Sequence, residues 1–243
     1  LSINSLRSAV AFLTVIPVAG SEGKTAARLG RAYFPAVGAL LGLVAGAVFA
    51  LTAAITTQMV GAAAAVAVLA VLTGGLHLDG VADAADGLFA RGTRAQRLEI
   101  MRDPRVGSFG AVALIVVLLG DVAALTALAP ATAVAALVIA GALSRWAMLG
   151  VVALVPYVRE RGLGVAASGG NRGFDVVLGS ASAAVACLLD WRHAAVGVLL
   201  VVVTALIIGV VARRRIGGAT GDIYGATAEL CQLAALVSFA VHT

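Results

Sequence analysis

Seven apolar runs separated by short polar breaks decide what this 243-residue chain can become. Five are clear: Pro35 to about Thr56, Ser108 to about Leu128, Ala131 to Val155, Ala194 to Ala212 and Ile223 to Val241. Val60 to about Leu76 is the second run in order, and Phe174 to Leu189 is short and weak. About 20 apolar residues in helical form cross the hydrocarbon core of a bilayer. Inside that core each backbone N–H must be satisfied within its own segment, so the runs are helices. The fold class expected is all-α, a polytopic integral membrane helical bundle of about seven transmembrane helices. The chain is 61% hydrophobic and 12% charged, against roughly 45–50% and 25% in soluble domains. No room is left for a soluble domain, and residues 1–243 read as one membrane-embedded unit. Near the N-terminus, the apolar stretch Ala9 to Ile16 is short and ends at Pro17. A re-entrant or interfacial segment is expected there.

Charge gives the runs an orientation. With seven spans, residues 1–34, 77–107, 156–173 and 213–222 share one side. They hold four, five, three and three basic residues, fifteen of the 17 in the chain. The positive-inside rule then places these segments in the cytoplasm and the C-terminus outside, as in a multi-pass protein of a cytoplasmic (inner) membrane. The net charge of +5 therefore reports topology and anionic ligands, and no nucleic-acid partner is expected.

Against this apolar background, Gly74 to Gly87 reads GGLHLDGVADAADG. It sets Asp79, Asp83 and Asp86 within eight residues, in a chain with 12 acidic residues in all. In a helix these three fall within an arc of about 60°. Three adjacent anions need a cation or a shared proton. Mg²⁺ suits them, because it takes carboxylate oxygens together with substrate phosphates. The glycines of the stretch leave room for close approach of a phosphate. His77 offers a base or a ligand, against the structural hydrogen-bonding role more usual for a lone His near a helix end. Downstream, Arg102 and Arg105, flanking Asp103 before a Gly107-Ser-Phe-Gly110 turn, offer guanidinium groups for phosphate. Arg91, Arg94 and Arg97 share a helical side and combine that potential with topological anchoring.

A second constellation, Thr220-Gly-Asp-Ile-Tyr-Gly-Ala-Thr-Ala-Glu229, opens the last run. Asp222 and Glu229 lie seven apart on one helical face, and Glu229 sits about 10 Å inside the helix. A carboxylate at that depth must be protonated, paired with Arg145 of the fourth run, or shared with a metal. Zinc-ligand spacing, a phosphate loop and a nucleophile elbow are all missing from the sequence. Carboxylates for a metal, arginines for phosphate and one membrane face together fit transfer of a phosphorus-linked group.

At these residues the sequence resembles the cobalamin synthases, the adenosylcobinamide-GDP ribazoletransferases. The matching stretches are Phe34-Pro-Ala-Val-Gly38, Thr73 to Gly87, Arg97-Leu-Glu-Ile-Met-Arg-Asp103 with Arg105-Val-Gly107, and Thr220 to Glu229. The departures are mild: Val81 stands for a usual Leu, and Pro104 for a small polar residue. The resemblance covers essentially the whole chain. It implies that adenosylcobinamide-GDP is joined to α-ribazole, or to its 5′-phosphate, with release of GMP in the last steps of cobalamin biosynthesis. It also implies Mg²⁺. On this reading Asp79, Asp83 and Asp86 hold the metal, and Asp86, or after it Asp222, accepts a proton. His77, Arg102, Asp103, Arg105, Arg145, Thr220 and Glu229 contact the nucleotide-activated corrinoid and ribazole substrates. Beyond the lipid bilayer and these substrates, a homo-oligomer is compatible with the sequence.

Two rivals share some of these features. CDP-alcohol phosphotransferases also place an Asp cluster at a helix end, but Asp83-Ala-Ala-Asp86 is followed here by Gly-Leu-Phe and not by their usual pattern. A transporter would carry charges near the midplane of several spans. Only Arg145 and Glu229 are expected that deep.

Overall fold

The computed structural model describes residues 2–18, 30–159 and 172–241. The described residues form helices α1 (Ile3–Leu13), α2 (Phe34–Ile55), α3 (Gln58–Leu72), α4 (Leu76–Phe89), α5 (Arg94–Ile100), α6 (Ser108–Thr126), α7 (Pro130–Leu154), α8 (Arg172–Cys187), α9 (Trp191–Ile216) and α10 (Gly221–Ala240). The glycine-containing segments Gly20–Gly23 and Ser168–Asn171, which read as turns, lie outside the described residues.

Helix boundaries follow local chemistry. Pro130 occupies the first turn of α7, where its missing N–H costs nothing. Thr57 caps α3, Asp190 caps α9 and Thr220 caps α10, each accepting from a backbone N–H three residues on. α9 stops at Gly217, whose φ of 82° is open to glycine.

Among the described residues, five helical stretches are long and apolar enough to cross a membrane: Arg31–Ile55, α6, α7, α9 and α10. The protein is a multi-pass helical membrane bundle. Of the seven spans expected, five are present and the other two are not confirmed. α3 and α4 meet at a bend of 89° and together make at most one span, and the apolar stretch of α8, Gly173–Cys187, is shorter than the others. Gly74 and Gly75, with φ of 63° and 68°, make the bend, because other residues rarely adopt that conformation. The segment 77–107 is consequently no loop. It folds back as α4 and α5, and α4 packs against α6 and α10. At the N-terminus, α1 has 11 residues and is too short to span.

Burial separates centre from rim. In α7 and α10, 72% of the apolar window is buried, against 28% in α6 and α9. Leu119, Leu199 and Leu206 stay exposed, as side chains facing lipid do. α2 lies against α7 through Gly38 and Gly42: a Cβ at either would overlap the carbonyl of Gly141 or Leu137. Of the two cysteines, Cys231 is buried and Cys187 half-exposed, and both are free.

Backbone hydrogen bonds also join the chain just after α7 to the chain just before α10. Val158 N–H donates to the Ala219 carbonyl (3.0 Å), and Ala219 N–H donates to the Pro156 carbonyl (2.8 Å). The segment leaving α7 is thereby pinned to the turn entering α10.

Candidate active site

Two glycines bring the acidic motifs together. A Cβ on Gly80 of α4 would sit 2.9 Å from the Asp222 carbonyl oxygen and 3.1 Å from Gly225 Cα. One on Gly225 of α10 would sit 3.2 Å from His77 Cα. The two helices thus touch backbone to backbone, and a cavity of about 150 Å³ opens beside the contact. His77 and Asp79 of α4, Asp222 of α10 and Tyr157 and Arg159 of the pinned segment line it. Asp83, half-buried one turn along α4, feels the charges of Asp79, Asp222, Asp86 and Arg159. Asp222 forms an ion pair with Arg159 (2.9 Å) and accepts from the Thr220 hydroxyl (3.1 Å). The second Arg159 contact is the Met101 carbonyl, at 3.1 Å.

Several sequence expectations are redirected. Asp86 turns from its neighbours and accepts from the backbone N–H groups of Gly107 (2.7 Å) and Gly110 (2.9 Å). It caps α6, where the helix dipole and free N–H groups favour an anion, so both oxygens are committed. Among the described residues no group of three His, Cys, Asp or Glu side chains converges to hold a metal ion. The expected Asp79, Asp83 and Asp86 triad is therefore not a preformed centre. Arg105 is exposed and pairs with Asp103 at 2.6 Å; its guanidinium holds the Asp103 carboxyl down at about 2. Arg102 is also exposed, and neither arginine lines the cavity. Both lie on the loop whose Met101 carbonyl meets Arg159. Arg97 is buried and donates to the Leu88 carbonyl (2.7 Å), closing the C-terminus of α4.

Arg145 is fully buried, and its nearest partners are Ser144, Gln232 and His77 rather than Glu229. Glu229 approaches His77 at 3.5 Å and senses Arg145 through its charge. Sequence reasoning passed over two residues. Arg159, in a basic loop, carries no local mark of its role. Asp121 did carry one: it is an ionisable group inside an apolar run, and it lies 2% exposed in α6. The expectation that only Arg145 and Glu229 penetrate the bundle is corrected accordingly.

The family described as Cobalamin-5-phosphate synthase matches residues 5–240. The chain belongs to the cobalamin-5-phosphate synthase family. Among its relatives in that family, the adenosylcobinamide-GDP ribazoletransferase of Shigella dysenteriae serotype 1 is 38% identical over 241 residues, covering 94% of this chain and 96% of that protein. The protein of the same name from Escherichia coli O139:H28 is 38% identical over 237 residues, with the same coverage. No solved structure matches this chain significantly. As a cobalamin-5-phosphate synthase family member the chain is a transferase of cobalamin biosynthesis, which sets aside both the CDP-alcohol phosphotransferase and the transporter.

Proposed function

We propose that this transferase joins adenosylcobinamide-GDP to α-ribazole or its 5′-phosphate, releasing GMP, at the end of the bundle where α4 meets α10. One observation carries the reading: carboxylates from two distant motifs, Asp79 and Asp222, share a single cavity with Arg159, which pairs with Asp222. That cavity, at about 150 Å³, is smaller than the roughly 300–1,000 Å³ of pockets that enclose a drug-sized ligand. It suits a diphosphate, and the corrinoid ring stays outside it.

In the proposed reaction a ribazole hydroxyl oxygen bonds to the phosphorus that carries cobinamide. The bond from that phosphorus to the GMP phosphate oxygen breaks, and GMP leaves with the electron pair. Arg159 turns from Asp222 to the diphosphate, since guanidinium binds phosphate in bidentate fashion. Asp222, released from its ion pair, accepts the hydroxyl proton. Mg²⁺ binds through one or two carboxylates plus phosphates, and Asp79 and Asp83 would supply those carboxylates. Bound there, Mg²⁺ would neutralise charge on the diphosphate. The basic-residue count supports a cytoplasmic site.

The test is GMP release from adenosylcobinamide-GDP and α-ribazole by the purified membrane protein. Asp83→Asn should abolish release while the variant still reaches the membrane. Near-normal turnover by that variant would remove the central claim.

A further inference from the structure

Behind the cavity, four helices contribute one connected polar chain inside the bundle. Asp121 of α6 is 2% exposed, Arg145 of α7 1%, Gln232 of α10 4% and His77 of α4 2%. Gln232 Nε2 lies 3.3 Å from Asp121 Oδ2, and Gln232 Oε1 lies 3.0 Å from Arg145 Nη1. Arg145 Nη2 lies 3.2 Å from His77 Nδ1.

The direction of each bond is fixed by chemistry. Guanidinium nitrogens donate and never accept. The Gln232 atom facing Arg145 must therefore be its oxygen, which turns the amide N–H₂ to Asp121. At the far end, Nδ1 of His77 must offer its lone pair to Arg145. A neutral imidazole that accepts at Nδ1 carries its proton on Nε2. Glu229 Oε1 also approaches Nδ1, but at 3.5 Å, beyond the usual 2.7–3.2 Å for N–H···O. One ring nitrogen cannot accept from Arg145 and donate to Glu229 together. The role left to Glu229 is to balance the buried charge of Arg145.

We propose that Asp121 and Gln232 are positioning residues that, through Arg145, hold His77 in the tautomer protonated at Nε2. The ring, which lines the cavity, then serves as a hydrogen-bond donor to a phosphate or hydroxyl oxygen of the substrate. This rests on the reading of that cavity as the reaction site. It replaces the base considered for His77 from sequence, because a nitrogen that already bears a proton cannot remove one. It also accounts for a carboxylate and an amide buried in a membrane bundle, where polar groups are costly unless paired.

The experiment is ¹⁵N NMR of the full-length protein, imidazole-labelled and held in lipid nanodiscs, beside GMP-release kinetics. The chain has three His, so His77→Gln assigns the signal. The expected wild-type signature is protonated Nε2 with bare Nδ1. Gln232→Met cuts the chain: Nδ1–H signal should appear as His77 turns to Glu229, and kcat should fall about tenfold with KM within about twofold, the loss of one buried hydrogen bond. A wild-type His77 protonated at Nδ1 would overturn the proposal, and that spectrum requires no variant to fold. So would a Gln232→Met protein, monodisperse by gel filtration, whose spectrum and kcat were unchanged. The expected signature without any turnover of adenosylcobinamide-GDP would uphold the positioning chain and overturn the functional reading.

Discussion

Replacing Gly80 by alanine adds one methyl group where α4 and α10 touch. Two effects oppose each other. In a helix interior, Gly→Ala is favourable by about 1 kcal/mol. Against it, the new Cβ would lie 2.9 Å from the Asp222 carbonyl oxygen and 3.1 Å from Gly225 Cα. Carbon contacts are optimal at about 3.5–4.0 Å, so the helices must part by roughly 0.5–1 Å. Both obstructing atoms are backbone and cannot rotate aside. Overpacking of this kind costs about 1–3 kcal/mol, so the clash outweighs the propensity gain. The displaced helix carries Asp79 and Asp83 away from Asp222, and an error of about 1 Å in a reacting geometry costs on the order of 100-fold in rate. Gly80→Ala should thus lower both the thermal unfolding midpoint in detergent and GMP release. Gly150→Ala is the control, because a Cβ there meets nothing within 4 Å. It should raise the midpoint and leave activity alone. A Gly80→Ala protein that behaved like Gly150→Ala, more stable and fully active, would show that the backbone contact does not set the site.

Asp86→Ala should lose about 1–2 kcal/mol of stability, as removal of an N-cap does, and heating with circular dichroism reads this. Its residual GMP release should exceed that of Asp83→Asn, since Asp86 serves the fold of α6. Arg105→Gln should leave GMP release at neutral pH unchanged, because the exposed Arg105–Asp103 pair stands apart from the cavity. Asp103 is depressed from 3.8 to about 2, so whatever the pair adds is present above about pH 4 and lost as pH falls toward 2. Wild-type and Arg105→Gln unfolding curves should therefore approach each other toward pH 2 and converge below it. Chelation by EDTA should stop GMP release, and added Mg²⁺ should restore it.

Much of this arrangement was open to reading in the sequence. The apolar runs dictate helices because lipid offers the backbone no partners. Gly38 and Gly42, four residues apart, line one helix face with small groups suited to close packing, and α7 packs there. The grouping of basic residues put the two acidic motifs on one side, and α4 and α10 do meet. What escaped depended on partners distant in the chain. Asp86 resembles Asp79 and Asp83 in sequence, and only the return of the chain at Gly107 and Gly110 turns it into a cap. Gly74 and Gly75 do not reveal that they turn α4 by 89°, because a glycine pair serves a bend and a packing face equally well. Arg159 became significant only through the hydrogen bonds that tie Pro156 and Val158 to Ala219.

The placement of the buried chain on four helices has a consequence for how the protein is made. Synthesis runs from the N-terminus, so Asp121 and Arg145 are delivered to the membrane before Gln232 and Glu229 exist. Until α10 arrives, a carboxylate and a guanidinium wait among apolar segments with half of their partners missing. The last helix then supplies at once the amide that links them, the carboxylate that balances Arg145 and the second wall of the cavity. Insertion of α10 is thus a drawn step, pulled by charges already in place, and the site comes into being only when the bundle is closed.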